Sequence, residues 1–265
     1  MTASRGDIVD STTTPPTIVR GSDADALALA AYDQLSTLLL ELRRQDWDVV
    51  TECRPWTVRD MVAHMVGAAE GHASLPVMMR QTVGGMRLKN EFDGNSLDAM
   101  NELQIRSQKD SSGPQLAARI RDLAPLAVRG RHRRATWMGF VPIPIDPTGS
   151  TAGFPAKVSM GHLCAVVLTR DVWMHKFDIA RALDMTPPID DTDTRVVADV
   201  AAEWQGQHKQ PVRLELSGPA GGSYQWGSGG PILDVDAIDF CRVVAGRRPD
   251  STVPASPLLD TRILF

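Results

Sequence analysis

Apolar residues along the first two thirds of the chain recur every three to four positions, and the breaks between runs fall on proline, glycine and serine. Ser22 with Asp25 reads as an N-cap and first-turn acid, after which Leu27, Ala31, Leu35, Leu38 and Leu42 share one helical face to about residue 44. Thr57 with Asp60 forms an acidic capping box where Val58, Met61, Val62 and Met65 begin a second helix. That helix carries His64 and runs to about residue 74, where Pro76 kinks or ends it before a Met-rich segment at 77–86. Helical periodicity over 96–108 and again over 114–131, broken at Ser111–Pro114, predicts a third, interrupted helix. A last one, over about 157–183, carries Asp171 and His175 and stops before Pro187 and Pro188.

The remaining segments have other textures. Residues 1–21 are rich in Ser, Thr, Pro and Gly without periodicity and are expected to form a mobile arm, packed down loosely at most. The proline-rich stretch 138–155 is neither a regular helix nor a central strand, and is expected to loop over one end of a bundle. After Pro188 come a helix at about 192–207, strand-like runs at 212–216 and 223–226 separated by glycines, a short apolar run at 232–235, and a helix at about 236–245. The pattern therefore predicts an α+β, mainly helical protein. A four-helix bundle occupies residues 22–188 and a small α/β domain occupies 189–265.

Composition narrows the function. The chain has 265 residues, 43% hydrophobic and 23% charged, which is ordinary globular usage. Its net charge of −4 gives no general attraction to nucleic-acid phosphates, so small molecules are the expected partners. No stretch reaches the roughly 20 apolar residues of a membrane span, and the N-terminus lacks the apolar core of a signal peptide, which points to the cytoplasm and to no membrane partner. Cys53, Cys164 and Cys241 are scattered and odd in number, as expected of reduced, packed thiols rather than a disulfide framework or a thiolate zinc site. The sequence leaves open whether the chain is a monomer or a homodimer.

The candidate chemistry lies on two helices. Asp171, His175 and Asp178, at spacings of four and three, fall on one stripe together with Cys164 and Leu168. His64 faces inward with Met61, Ala68, Gly71 and Leu75, so a bundle can bring it over the Asp171–His175 pair. Two imidazoles and a carboxylate are the ligand set of an open divalent-metal site such as zinc. By spacing alone, capped or ion-paired helix residues explain the stripe as well. Asp178 is placed to orient an imidazole.

The run Pro55-Trp56-Thr57-Val58-Arg59-Asp60-Met61-Val62-Ala63-His64, the run from Arg170 to Arg181 and the C-terminal pieces Gly218–Gly222 and Phe240–Arg247 together resemble the mycothiol-dependent maleylpyruvate isomerase family, a branch of the DinB-like four-helix superfamily. The resemblance implies a metal-binding bundle followed by a sterol-carrier-like α/β domain, with His64, Asp171 and His175 as zinc ligands and mycothiol as a thiol cofactor. In the isomerase itself Glu stands in place of Asp171, one methylene longer. The resemblance also places Arg242 where the family has arginines, implying a two-pronged grip on a substrate carboxylate; a helix-end or surface ion pair is the alternative.

The leading expectation is thus a metal-dependent isomerase or thiol transferase that activates a low-molecular-weight thiol for attack on an electrophilic small molecule. The rivals are a non-catalytic metal- or ligand-binding module and a metal-dependent hydrolase. The basic cluster Arg129, Arg131, His132, Arg133 and Arg134 reads as a solvated helix end, His72 and His162 as ordinary histidines, and Trp56 and Trp173 as packing at helix ends.

Overall fold

The computed structural model describes residues 15–18, 21–53, 55–145, 154–249 and 252–265. Helices α1 (Ser22–Leu40), α2 (Val58–Ala73), α3 (Leu75–Leu88), α4 (Ser96–Ser107) and α5 (Gly113–Met138) lead to a two-stranded antiparallel ribbon of β1 (Pro142–Pro144) and β2 (Lys157–Ser159). A single turn, α6 (Met160–His162), runs through a wide π-turn at Leu163–Val167 into α7 (Leu168–Ala182). Then follow α8 (Asp191–His208), strands β3 (Val212–Ser217), β4 (Gly222–Trp226) and β5 (Ile232–Asp236), and α9 (Ala237–Val244). The protein is α+β and mainly helical, as its patterning implies.

Helices α1, α2, α5 and α7 pack as the four-helix bundle, and α3 with α4 forms a hairpin laid against α2. The caps follow local chemistry. Thr57 and Asp60 close a reciprocal capping box at the start of α2, with Asp60 Oδ2 accepting the Thr57 N–H at 3.0 Å, and Ser112 with Gln115 does the same for α5. Four expectations need correction. The cap of α1 is Gly21, so Ser22 is its first helical residue rather than its N-cap. The Met-rich segment after Pro76 is a helix in its own right, because Pro76 sits in the first turn where its missing N–H costs nothing. The interrupted third helix is two separate helices, of which α5 belongs to the bundle and runs on to Met138. The last bundle helix starts at Met160, after a strand, and is widened by the π-turn.

Where α5 crosses α2, Gly130 lies so close to the chain that a Cβ there would sit 2.0 Å from the His72 carbonyl oxygen. Only glycine allows that approach. Behind the bundle, β3 is the central strand of a three-stranded sheet, antiparallel to β4 and parallel to β5. The alternation Val212, Leu214, Leu216 on β3 and Leu233, Val235 on β5 places apolar side chains in the same core as Trp204 of α8 and Phe240 of α9.

The core is continuous across the Pro187–Pro188 break. Polar groups reinforce the junction: Asp193 Oδ1 accepts from Trp173 Nε1 at 2.8 Å and pairs with Lys176 Nζ at 2.6 Å. Arg170, fully buried, pairs with Asp199, meets Glu203 at 2.9 Å and donates to the Leu264 carbonyl. Most of the segment expected to form a mobile arm lies outside the described residues. Its Ile18, however, is buried, and the Ile18 N–H donates to Asp199 Oδ1 at 2.6 Å, so this portion is packed onto α8.

Candidate metal centre

The π-turn decides which side chains of the last bundle helix face the bundle interior. An extra residue in one turn shifts everything before it by about 100° relative to everything after it. Cys164, which a straight helix would align with Asp171, lies within that turn, and its Sγ meets Met160 Sδ at 3.6 Å. Asp171 and His175 stay together beyond the turn, His175 Nε2 lying 3.4 Å from Asp171 Oδ1.

His64 comes from α2 to complete the cluster. Its ring lies nearly perpendicular to that of His175, with centroids 5.7 Å apart, and one ligand atom from each of His64, Asp171 and His175 falls within 4.8 Å of the others. The three residues named from the sequence are brought together. His64 and His175 are each 7% exposed, while Asp171 is half-buried and opens the cluster towards solvent. Around them lies a second layer. Nδ1 of His175 is 2.9 Å from Asp178 Oδ2, the imidazole-orienting contact expected of Asp178. Asp178 also accepts two bonds from Arg247, at 3.1 and 2.7 Å, and one from the Cys53 thiol at 3.6 Å.

Burial alone would keep both histidines neutral, and the charges around each decide differently. At His64 desolvation dominates over the Asp171 carboxylate, and the pKa falls to about 4. At His175 desolvation is outweighed by the charge of Asp171, their mutual hydrogen bond and Asp178, and the pKa rises to about 9. Burial would raise the Asp171 carboxyl, but His175, His64 and Arg131 hold it well below the usual carboxylate range. Burial also pushes the Cys53 thiol up to about 12, with Asp178 adding to the effect, so this cysteine is a donor to Asp178 and not a thiolate.

Several neighbours carry more than their sequence reading gave them. Trp56 is no mere helix-end residue: its ring lies 5.0 Å from that of His64, held there by the chain reversal in which Thr51 N–H donates to the Trp56 carbonyl. Trp173 is fully buried on the opposite side of α7. Arg131 is not part of a solvated helix end, because α5 continues past it. It falls on the buried face with Ala124, Ala127 and Val128 and donates to Tyr32 Oη at 2.7 Å and to the Leu168 carbonyl at 3.0 Å. His162 pairs with Glu203 at 3.2 Å.

Arg242 is 3% exposed, and its Nη2 lies 2.7 Å from both carboxylate oxygens of Glu52, with Nη1 3.4 Å from Asp239. It lines a cavity of about 450 Å³ at the junction of α7 and α9, together with Phe177, Arg181 and Met185. The arginine that reaches the histidine cluster is instead Arg247, through Asp178. Neither Arg247 nor Arg131 carries a spacing signal: Arg131 is one of several arginines in a basic run, and Arg247 ends the Phe240–Arg247 piece without being singled out there.

Fold and site thus define a helical-bundle protein with a converging His–carboxylate–His cluster, joined to a small α/β unit by a shared core. The chain belongs to the mycothiol maleylpyruvate isomerase N-terminal domain family, whose model matches residues 28–180. Among solved structures it is similar to the crystal structure of the mycothiol-dependent maleylpyruvate isomerase, with a TM-score of 0.55 at 18% identity over 91% of this chain and 98% of that one. A histidine-to-alanine mutant of that isomerase aligns with the same values. At this identity the likeness speaks for the fold. No curated protein matches the sequence.

Proposed function

We propose that the protein is a metal-dependent enzyme that uses a small thiol, mycothiol in the first instance, in an isomerase or transferase reaction on an electrophilic small molecule. The observation that carries the reading is the convergence of His64, Asp171 and His175. Tetrahedral ligation at about 2.0–2.2 Å puts neighbouring ligand atoms roughly 3.4 Å apart, and His175 Nε2 and Asp171 Oδ1 are already 3.4 Å apart. Nitrogen and oxygen donors of this kind suit zinc, with a further position left for a thiol or water. A bound divalent ion supplies a lowered pKa to a coordinated thiol or water near neutral pH.

The remaining work belongs to the chain. Asp178, backed by Arg247, fixes the His175 ring, and Trp56 packs against the His64 ring. Addition of a thiolate to a conjugated double bond, rotation and elimination isomerise it; addition without elimination is thiol transfer. A substrate carboxylate seeking Arg242 would compete with Glu52, which engages Nη2 through both oxygens, and with Asp239 beside Nη1.

Elemental analysis of purified protein, followed by turnover of maleylpyruvate with and without mycothiol, tests the reading. About one zinc per chain and thiol-dependent turnover are expected. Metal without thiol-dependent turnover leaves a binding module or a hydrolase, and no metal in wild-type protein ends the proposal.

A further inference from the structure

Arg242 meets a substrate carboxylate only by giving up Glu52 or Asp239. An electrophile that carries a carboxylate needs another cation near the cluster, and α5 supplies one. The levels of the helices show where. Gly130 of α5 abuts the His72 carbonyl of α2, and the next residue, Arg131, donates to the Leu168 carbonyl of α7 at 3.0 Å. Residues 72 and 168 therefore lie level with each other beside α5. His64 and His175 meet at a second level, so α2 and α7 run antiparallel here and Asp171 stands between the two. Asp171 is also the member of the cluster that opens towards solvent, while both histidines are closed in. The open side of the cluster is thus the side towards residues 130–134 of α5.

That stretch holds a positive charge with no anion against it. Arg129 and Arg133 are exposed, whereas Arg131 is buried and Arg134, on the same face one turn on, is half-buried. Arg131 spends Nη1 and Nη2 on Leu168 and Tyr32, and its charge and that of Asp171 act on each other. Arg134 donates from Nη2 to the His72 carbonyl at 2.9 Å, and its charge acts on the Cys164 thiol, which burial keeps protonated. Neither of those neighbours is an anion. A guanidinium offers five N–H donors, and one neutral acceptor leaves both the charge and most of the fork free.

We propose that Arg134 is a specificity-determining residue of the site: it binds a carboxylate of the electrophilic substrate while the reacting carbon lies at the His64–Asp171–His175 cluster. The inference rests on the reading of that cluster as the reaction centre. The reach fits, because Leu168 is three residues from Asp171, about 4.5 Å along the helix, a span that a short unsaturated acid covers. A planar fork that takes a carboxylate in two-pronged fashion also fixes the direction in which such an acid enters.

The test is calorimetric titration of maleate, a small unsaturated dicarboxylate, into the purified full chain, with the uncharged diamide of maleic acid as control. Wild type is expected to prefer maleate to the diamide. Arg134→Gln is expected to bind maleate about 10–100-fold more weakly, as loss of a hydrogen bond to a charged group does, with diamide binding, zinc content and melting temperature unchanged. Equal maleate affinity in the two proteins, or no preference for maleate in wild type, overturns the proposal. A second measurement needs no variant: phenylglyoxal modifies arginines, and maleate is expected to slow its reaction at Arg134 of wild type, read by peptide mass spectrometry. An unchanged rate counts against the site. Zinc uptake and thiol-dependent turnover with maleate indifferent to Arg134 remove this inference alone. Arg134-dependent maleate binding in protein that takes up no zinc upholds the carboxylate site and removes the metal reading alone.

Discussion

Oδ2 of Asp178 lies 2.9 Å from Nδ1 of His175, and the same carboxylate is held by Arg247. The contact directs Nε2 of His175 at Asp171. Asp178→Ala removes the orienting partner and leaves Arg247 without its counter-ion, so zinc affinity is expected to fall about 10–100-fold while helical content is retained. Chelator competition measures the first and circular dichroism the second. Unchanged affinity would show that α7 holds the ring without help.

Metal uptake should depend on pH in a direction set by the two histidines. In the metal-free protein His64 is neutral at ordinary pH, its pKa being about 4, whereas His175 is protonated below about 9. A metal must displace that one proton, so affinity is expected to rise about tenfold per pH unit from 6 to 8 and to level off near 9. Zinc competition at several pH values checks the slope; a flat profile would mean that His175 is neutral or is not a ligand.

Asp199 links three parts of the chain: it pairs with fully buried Arg170 and accepts the Ile18 N–H. Arg170 keeps Glu203 at 2.9 Å as a second partner, so removing Asp199 leaves the guanidinium only partly uncompensated, at about 1–3 kcal/mol. Asp199→Ala is expected to lower stability by that order in denaturant unfolding, with metal binding changed little because the pair faces away from the cluster. A loss below about 1 kcal/mol would show that Glu203 compensates Arg170 by itself.

Arg242 holds Glu52, beside Cys53, against α9. Arg242→Ala leaves the carboxylate of the exposed Glu52 to water and is expected to reduce stability by about 1 kcal/mol or less with metal content unchanged. Thermal unfolding and steady-state kinetics separate the roles: a raised KM at unchanged stability would assign Arg242 to the substrate instead.

Glu203 adds an acid-side dependence. Burial opposes its ionisation, but bonds from His162 and Arg170 and their charges hold its pKa at about 2, below the ordinary 4.5. The stability it contributes is full above about pH 4.5 and is lost as pH falls from there towards 2. Acid titration of Glu203→Gln against wild type checks this: the difference in stability between the two should shrink over that window.

The sequence by itself determined the elements whose signals are local. Periodicity and caps set α2, α8, strands β3 and β4 and α9, and the i, i+4 spacing put Asp171 and His175 on one face, because neighbouring residues alone decide a helix turn or a strand's alternation. Tertiary structure decided the rest. The π-turn at Leu163–Val167 breaks the register of the last bundle helix and left no signal in the spacing. Glu52 and Arg242 are 190 positions apart, and Gln104 meets α2 only because Gly67 lets α4 come close. Which polar group answers a buried charge is fixed by how the helices pack, and spacing along the chain carries no record of it.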